Sequence, residues 1–329
     1  MPYRLVCAAG LMLAAIPVFA QPPSGDPNII PRVKTKPPEA AATATDRGAN
    51  IRVDTNLVLI PVTVSDPLGK FVTGLEKENF QLFEDKAEQQ IQTFSSEDAP
   101  MSIGLVFDTS GSMGPKLQTS RFAVSEFVKT ANPVDEFFLV QFNDHPELAV
   151  PFTPNTEDIQ NKLLYVQSKG QTALLDGVYM AMNEMKRRAR NPRKAILIIS
   201  DGGDNSSRYT HTEVKNAVRE ADVQIYGIGI FESMEHRGRT PEELAGPDLL
   251  HELASLTAGT SFVVDNLKEL PDVAMKIAIE LRNQYVLGYT STNKARDGKY
   301  RHVQVKMTRV KGLPKLTAAF RTGYYAPAQ

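Results

Sequence analysis

The chain has very little cysteine, and its charges nearly cancel. Cys7 is the single cysteine, which excludes an internal disulfide and any zinc site built from several thiolates. The 37 basic and 38 acidic side chains leave a net charge of −1 at pH 7. Because a protein that depends on nucleic acid normally has a basic excess, nucleic acid is not the expected partner. The 329 residues are enough for two domains with apolar cores.

Several catalytic motifs are missing as well. The chain has no Gly-rich phosphate loop with a lysine. His251-Glu252 begins a zinc-protease motif, but Ser255 stands where the second histidine is required. A serine-hydrolase elbow around Ser112 would need glycine at the position that Ser110 occupies. These gaps favour a binding protein over an enzyme.

Residues 1–20 have the pattern of a secretory signal peptide. Arg4 precedes an apolar stretch that ends at Phe19, and Val18 and Ala20 are small residues at the expected cleavage positions. The alternative is a membrane anchor, but the stretch is short for a span. We expect cleavage, export without a stable membrane span, and loss of Cys7. The final compartment, whether periplasm, cell surface or medium, stays open.

The composition of the chain changes at residue 51, from a region rich in proline and small residues to one with alternating apolar side chains. Residues 21–50 are rich in Pro, Ala, Thr and Lys, which predicts a disordered linker. From residue 51 the apolar side chains alternate, as at Val58, Ile60, Val62 and Val64, which predicts strands.

Strand patterns occur at both ends of the chain. The N-terminal part, 51–98, and the C-terminal part, 284–329, are each short of strands for an independent domain. We therefore predict that they form one small Ig-like β-sandwich, although two separate β units remain an alternative. Besides the first alternating run, the predicted strands are Phe80–Asp85, Gln90–Phe94, Gln284–Tyr289, His302–Met307 and Leu316–Tyr324.

The central region, 99–283, alternates strand and helix patterns. This alternation predicts a doubly wound, mostly parallel α/β sheet inserted in the sandwich. Glu136–Phe142 and Leu148–Phe152 follow each other without a helix, which predicts one antiparallel edge strand. The basic run Lys186–Lys194 ends a predicted helix, where cations complement the helix dipole, so we interpret it as a solvated face.

The segment Met101–Gly114 organises this central region. Its apolar run predicts a strand buried on both faces, and Asp108, Ser110 and Ser112 follow at the carboxyl end, where α/β sheets bind ligands. A carboxylate with two hydroxyls is a hard oxygen donor set of the kind that Mg²⁺ prefers. The segment therefore predicts a metal site.

The pattern D-x-S-x-S after an apolar strand resembles the metal-ion-dependent adhesion site of von Willebrand factor type A domains and integrin I domains. That family also uses a Thr and a second Asp from later loops. Thr172, in a Gly-flanked loop that opens a helix, and Asp201, after the run Ala195–Ser200, match them in order. The resemblance covers roughly residues 100 to 283 and extends to the bacterial exported group of these proteins.

The resemblance implies a function and a ligand set. Ser110 and Ser112 would bind Mg²⁺ or Mn²⁺ directly, Thr172 directly or through water, and Asp108 and Asp201 mainly through water. An Asp or Glu carboxylate of a protein partner would complete the coordination. The loop 232–246 is expected to help set partner specificity.

Three other interpretations stay open. Each of these polar residues could simply cap a helix or close a turn. Asp108 could be the nucleophile of a Mg²⁺-dependent hydrolase or phosphatase. The chain could also be a purely structural envelope component in which the metal only stiffens the domain.

Overall fold

The structure, a computed structural model, describes residues 57–96, 98–231 and 241–328. The predicted signal peptide at 1–20, the predicted linker at 21–50 and the first residues of the predicted sandwich lie outside these ranges. Most of the predicted specificity loop at 232–246 lies outside them too.

The described residues form strands and helices grouped in three sheets. The strands are β1 (Leu57–Ser65), β2 (Phe80–Glu84), β3 (Ala87–Gln89), β4 (Thr93–Ser95), β5 (Met101–Asp108), β6 (Glu136–Phe142), β7 (Pro146–Thr153), β8 (Arg193–Ser200), β9 (Gln224–Ile230), β10 (Ser261–Val264), β11 (Tyr285–Thr290), β12 (Tyr300–Met307), β13 (Thr317–Phe320) and β14 (Gly323–Tyr325). The helices are α1 (Leu117–Val128), α2 (Thr156–Leu164), α3 (Leu174–Arg188), α4 (His211–Glu220), α5 (Pro241–Leu244), α6 (Gly246–Ser255) and α7 (Leu270–Arg282).

The central sheet has the strand order β10-β9-β8-β5-β6-β7. All neighbouring strands in it are parallel except β6 and β7, which are antiparallel. The prediction of a mostly parallel sheet with one antiparallel edge strand is therefore confirmed. Every residue of β5 is buried, as its uninterrupted apolar sequence predicts.

Helices cover both faces of the central sheet. One apolar cluster packs α1, α2 and α7 against the sheet, and another packs α3, α4 and α6 against the opposite face. Alternate residues of β5 divide between them, with Leu105 in the first cluster and Val106 in the second. This burial on two sides holds β5 in the middle of the α/β unit.

Strands from both ends of the chain form two flanking sheets. Their orders are β13-β1-β11-β4 and β14-β12-β2-β3. Both sheets contribute to one apolar cluster, in which Val62 of β1, Leu82 of β2, Leu287 of β11 and Val303 of β12 are buried. The Ig-like sandwich and the domain boundaries at 98 and 283 stay predictions.

Two predicted strands were wrong in the same way. Gln90–Phe94 is not one strand, because β3 pairs with β2 in one flanking sheet and β4 pairs with β11 in the other. Ile91 lies where the chain crosses from one flanking sheet to the other. Its apolar side chain is buried in the core although its backbone belongs to neither strand. Leu316–Tyr324 likewise divides into β13 and β14, in different sheets. Alternating hydrophobicity shows burial but not which sheet a residue joins.

The basic run 186–194 also needs a correction at one position. The end of α3 is exposed as predicted, but Arg193 is only 5% exposed. Its guanidinium donates to the side-chain oxygen of Gln284 at 3.1 Å and to the carbonyl of Leu281. Gln284 in turn donates to the hydroxyl of Thr63 in β1. Arg193 therefore belongs to a polar contact between the central and flanking sheets and not to a solvated face.

Within the described ranges, none of the helices combines the length and the apolar character that crossing a membrane requires.

A buried ion pair fixes the end of α7 near the start of β5. Arg282 contacts Asp135, whose side chain has 0% exposure, and lies 3.0 Å from an oxygen of Asp98. Asp135 also accepts the backbone N–H groups of Met101 and Asn132, each at 2.8 Å. Removal of the arginine would leave a buried carboxylate without its cation.

We predict that Arg282→Met lowers the free energy of unfolding by about 3 kcal/mol, because the buried charge of Asp135 loses its partner. Urea denaturation measures this loss. Lys129→Met is the matched control, since Lys129 pairs with Glu126 in an exposed i,i+3 pair and should change stability much less. Equal losses in the two variants would show that the Arg282 pair is no stronger than a surface pair.

Candidate functional site

The candidate site lies at the carboxyl ends of β5 and β8. These strands are parallel neighbours in register, with Phe107 opposite Ile199, so the residues after them meet at one edge of the sheet. Asp108 ends β5, and Asp201 follows β8 directly. Parallel pairing therefore brings together two carboxylates that are far apart in the sequence.

Asp108 is buried, with 0% exposure. One carboxylate oxygen accepts the backbone N–H of Ser110 at 2.8 Å, and the other accepts the hydroxyl of Ser200. Burial, followed by the nearby charge of Asp201, raises the pKa of Asp108 to about 7. A cation beside this carboxylate would oppose both effects.

The two predicted serines join Asp108 and Asp201 in one hydrogen-bonded cluster. The hydroxyl oxygens of Ser110 and Ser112 are 3.1 Å apart. Ser112 donates its hydroxyl to Asp201 Oδ1 at 2.9 Å. Ser110 and Asp201 are buried, whereas Ser112 is exposed, so the cluster is open to solvent on the side of Ser112.

Lys116 completes this cluster and was missed by the sequence analysis. Its ammonium lies 2.8 Å from Asp201 Oδ2, and its side chain is 1% exposed. A lysine at the start of α1 opposes the helix dipole, and that unfavourable position is the one sequence signal that could have drawn attention to it. Asp201 thus binds a hydroxyl with one oxygen and a buried cation with the other.

Thr172 lies beside this cluster, in a loop held by two other loops. Its backbone N–H donates to the side-chain oxygen of Asn205 at 2.8 Å, and its carbonyl accepts the N–H of Asn205 at 3.0 Å. The N–H of Gly111 donates to the carbonyl of Gly170 at 3.0 Å. A methyl group built on Gly202 would be 3.9 Å from the Thr172 hydroxyl, so this hydroxyl lies next to the turn that follows Asp201.

The loop after β8 also fixes the start of α3. The N–H of Leu175 donates to Asp204 Oδ1 at 3.1 Å, and the N–H of Asp176 donates to the hydroxyl of Ser207 at 3.0 Å. Burial raises the pKa of Asp204. Side chains of the loop after β8 therefore accept the free N–H groups at the start of α3. The same loop keeps Thr172 close to Asp201.

The donors in this cluster fit a hard divalent cation. Two carboxylates and the hydroxyls of Ser110, Ser112 and Thr172 supply only oxygen, which suits Mg²⁺ or Mn²⁺. Across the part of the chain that the structure describes, no group of three or more His, Cys, Asp or Glu side chains could hold a metal ion by itself. Any cation here would therefore depend largely on hydroxyl groups and water for its ligands.

A polar cleft of about 440 Å³ borders the Asp108 loop at Thr109. Lys162, Tyr165 and Lys169 line it, and Tyr165 is 84% exposed. Gln141 also lines it, and its side-chain oxygen is buried without a hydrogen-bond partner among the described residues. The cleft therefore offers two lysine side chains, the carboxylate of Glu147 and an unfilled acceptor next to the cluster.

Comparison with known proteins supports a von Willebrand factor type A domain in the centre of the chain. Residues 103–203 match the family model described as von Willebrand factor type A domain. An uncharacterized protein of Borreliella burgdorferi is 26% identical over 203 residues, which cover 55% of this chain and 58% of that protein. Inter alpha-trypsin inhibitor heavy chain 4 of Mus musculus is 30% identical over 146 residues, 40% of this chain and 16% of that protein.

Solved structures also align with part of the chain. The von Willebrand factor type A protein from Catenulispora acidiphila aligns with a TM-score of 0.48 and 11% identity, over 76% of this chain and 74% of that one. The chain spans less than two thirds of the length of each curated relative described above.

Close backbone packing holds the loop that carries Asp201. A methyl group on Gly246, at the start of α6, would lie 2.8 Å from backbone atoms of Gly202 and Gly203. We predict that Gly246→Ala lowers the free energy of unfolding by about 1–3 kcal/mol, because backbone must move to make room. Urea denaturation measures the change.

Gly202→Ala is the matched control for this prediction. Its added methyl group would meet the Thr172 hydroxyl at 3.9 Å, an ordinary contact. We expect this variant to lose less stability than Gly246→Ala. The reverse order would contradict the assigned packing of α6 on the loop.

Proposed function

We propose that this chain is an exported, non-enzymatic protein that binds a protein partner through a divalent cation. The observation that carries the proposal is the cluster in which the Ser110, Ser112 and Asp201 side chains hydrogen-bond beside Asp108. The central von Willebrand factor type A match supports a role in protein interaction. The predicted signal peptide is the reason for including export.

The proposed site gives each residue a distinct task. Ser110 and Ser112 offer hydroxyl oxygens as direct ligands, and Thr172 offers a further hydroxyl from the neighbouring loop. Asp108 and Asp201 orient these donors and balance charge. When bound, Mg²⁺ or Mn²⁺ supplies a positive centre that attracts a carboxylate of the partner.

The polar cleft beside the cluster would contribute to partner recognition. Lys162 and Lys169 suit an acidic segment, and the unfilled oxygen of Gln141 suits an N–H donor from the partner. Tyr165 offers an exposed aromatic ring at the same edge. A partner segment that contains Asp or Glu and a free N–H donor would match these groups, with its acidic side chains placed away from the carboxylate of Glu147.

A hydrolase that uses Asp108 as its nucleophile fits the geometry less well. A nucleophile needs an oxygen that can reach the substrate. Asp108 is 0% exposed, and both of its oxygens accept hydrogen bonds. These contacts suit a carboxylate that orients neighbours more than one that attacks a substrate.

We predict that Mg²⁺ or Mn²⁺ binds the wild-type protein and stabilises it, by about 2.7 kcal/mol when the metal is present at 100 times its Kd. Calorimetry and thermal melting measure this binding. Ser110→Ala should abolish both effects, because it removes a direct ligand. Ser206→Ala is the matched control, since its hydroxyl lies in the loop after β8 and donates to the carbonyl of Asp144. Loss of binding in the control, or its survival in Ser110→Ala, would contradict the assigned ligands.

A second experiment separates partner binding from a purely structural role. Selection of a phage-displayed random peptide library on the Mg²⁺-loaded protein should enrich peptides that contain Asp or Glu. Their binding should be lost with EDTA and on the Ser110→Ala variant. If the selected peptides bind equally well in EDTA, or if none is enriched while the metal still raises the melting temperature, the metal only stiffens the domain.

A further inference from the structure

Positive charge is concentrated near the end of the sequence, although the whole chain is nearly neutral. Residues 298–329 contain seven Lys and Arg residues and no Asp or Glu. Some of these basic side chains meet basic residues from earlier segments in a groove of about 650 Å³. Lys194, at the amino end of β8, lines this groove, so it lies at the edge of the central sheet opposite Asp201. The groove is therefore separate from the candidate metal site.

Basic side chains outnumber acidic ones in the lining of this groove. The acidic side chains that line it are Glu220 and Asp222. Arg296 lines it too, but it already has a partner and is not counted. Five other basic side chains reach the groove from separate segments of the chain, namely Lys194, Arg219, Lys294, Arg301 and Arg321. A concave surface with an excess of one sign of charge attracts ligands of the opposite sign.

Two of the lysines in the groove keep their charge unpaired. Lys194 is half-buried and Lys294 is exposed, and neither forms an ion pair among the described residues. Glu220 is exposed at the end of α4. Another carboxylate, Glu84, lies behind the lining, where it accepts the hydroxyl of Tyr324 at 2.9 Å. The two ammonium groups are thus available to an anion that enters the groove.

The guanidinium groups of Arg301 and Arg321 are held in place by acidic partners. Arg301 lies 2.8 Å from Asp297, and its side chain is only 7% exposed. Arg321 lies 2.6 Å from Asp222. The Nε of Arg321 is buried and has no hydrogen-bond partner among the described residues, so this guanidinium is not fully satisfied. Guanidinium groups that are already fixed lose little freedom when they bind an oxyanion.

An aromatic ring and an apolar side chain complete the lining. Tyr325 is 42% exposed and Leu57 is 45% exposed, and both line the groove. The Tyr325 ring packs edge-on against Tyr300, with the ring centres 5.1 Å apart, which fixes its position. An exposed aromatic ring of this kind can pack against the ring or hydrocarbon part of a ligand.

We propose that this groove binds a small organic anion. Its phosphate or carboxylate oxygens lie between the basic side chains, and its ring or hydrocarbon part lies against Tyr325 and Leu57. Phosphate and carboxylate share the oxygen geometry that guanidinium groups recognise, and the unpaired lysines add charge. The volume of the groove is typical of small-molecule sites. This inference does not depend on the proposed metal-dependent function.

Calorimetry on the full chain tests the proposal with three probes that share a benzene ring, in EDTA and at low salt. At about pH 7.5 phenyl phosphate carries nearly two negative charges, benzoate carries one, and phenol is neutral. We expect both anions to bind, phenyl phosphate more tightly because of its larger charge, and phenol not to bind measurably. The order of the two anions distinguishes a phosphate ligand from a carboxylate ligand. Absence of binding by both anions, or equally tight binding of phenol, would refute the site.

Two variants should shift the affinity for phenyl phosphate in opposite directions. Lys294→Met removes an exposed, unpaired charge and should weaken binding about threefold. Asp222→Asn removes a negative charge from the lining and the ion-pair partner of Arg321, so it should tighten binding about threefold. Because a general loss of structure weakens binding, tighter binding in Asp222→Asn cannot come from misfolding. Unchanged affinity in both variants would refute the assigned lining.

Two controls locate the bound anion. Lys315→Met removes the same charge from an exposed lysine in the segment between β12 and β13, outside the groove, and should bind phenyl phosphate like the wild type. Equal weakening in Lys315→Met and Lys294→Met would show that general surface charge is responsible. Ser110→Ala should also match the wild type. Loss of phenyl phosphate binding in Ser110→Ala would place the anion at the candidate metal site and contradict the proposal.

Discussion

The burial of β5 on both faces is the constraint on which the rest of the α/β unit depends. Its side chains divide between two apolar clusters, and its backbone pairs in parallel with β6 and β8. Because this strand ends at the carboxyl edge of the sheet, its last residue, Asp108, is positioned by the strand itself and does not depend on the conformation of the loop that follows. Asp108 is held there at 0% exposure, and the burial that fixes the strand also raises the pKa of this carboxyl group.

The candidate site assembles from this edge through hydrogen bonds between loops that are distant in sequence. Asp201 reaches it because β8 lies beside β5, and Thr172 reaches it because Asn205 binds its backbone. Lys116 then adds a buried positive charge to a cluster of acceptors. The result is a set of oxygen donors in which the carboxylate of Asp201 is already paired with a buried ammonium group.

Much of the central fold could be predicted from the sequence, because long apolar runs and helical periods are local signals. The neighbouring positions of Asp108 and Asp201 follow from two such runs, whereas their role as metal ligands stays a prediction. Lys116 could not be paired in advance, since its partner is 85 residues away. The sequence also did not reveal that the chain passes from one flanking sheet to the other at Ile91 and again after β13. Alternation reports which side chains are buried, but the choice of sheet depends on contacts with the other end of the chain.

Anomalous diffraction from crystals of the protein grown with Mn²⁺ and acetate is the decisive experiment for the metal site, because it locates the metal. We expect one strong manganese peak in contact with the hydroxyl oxygens of Ser110 and Ser112, an acetate oxygen on the same ion, and Lys116 still paired with Asp201. A manganese peak bound elsewhere, or no peak while Ser112 and Asp201 remain hydrogen-bonded to each other, would contradict it.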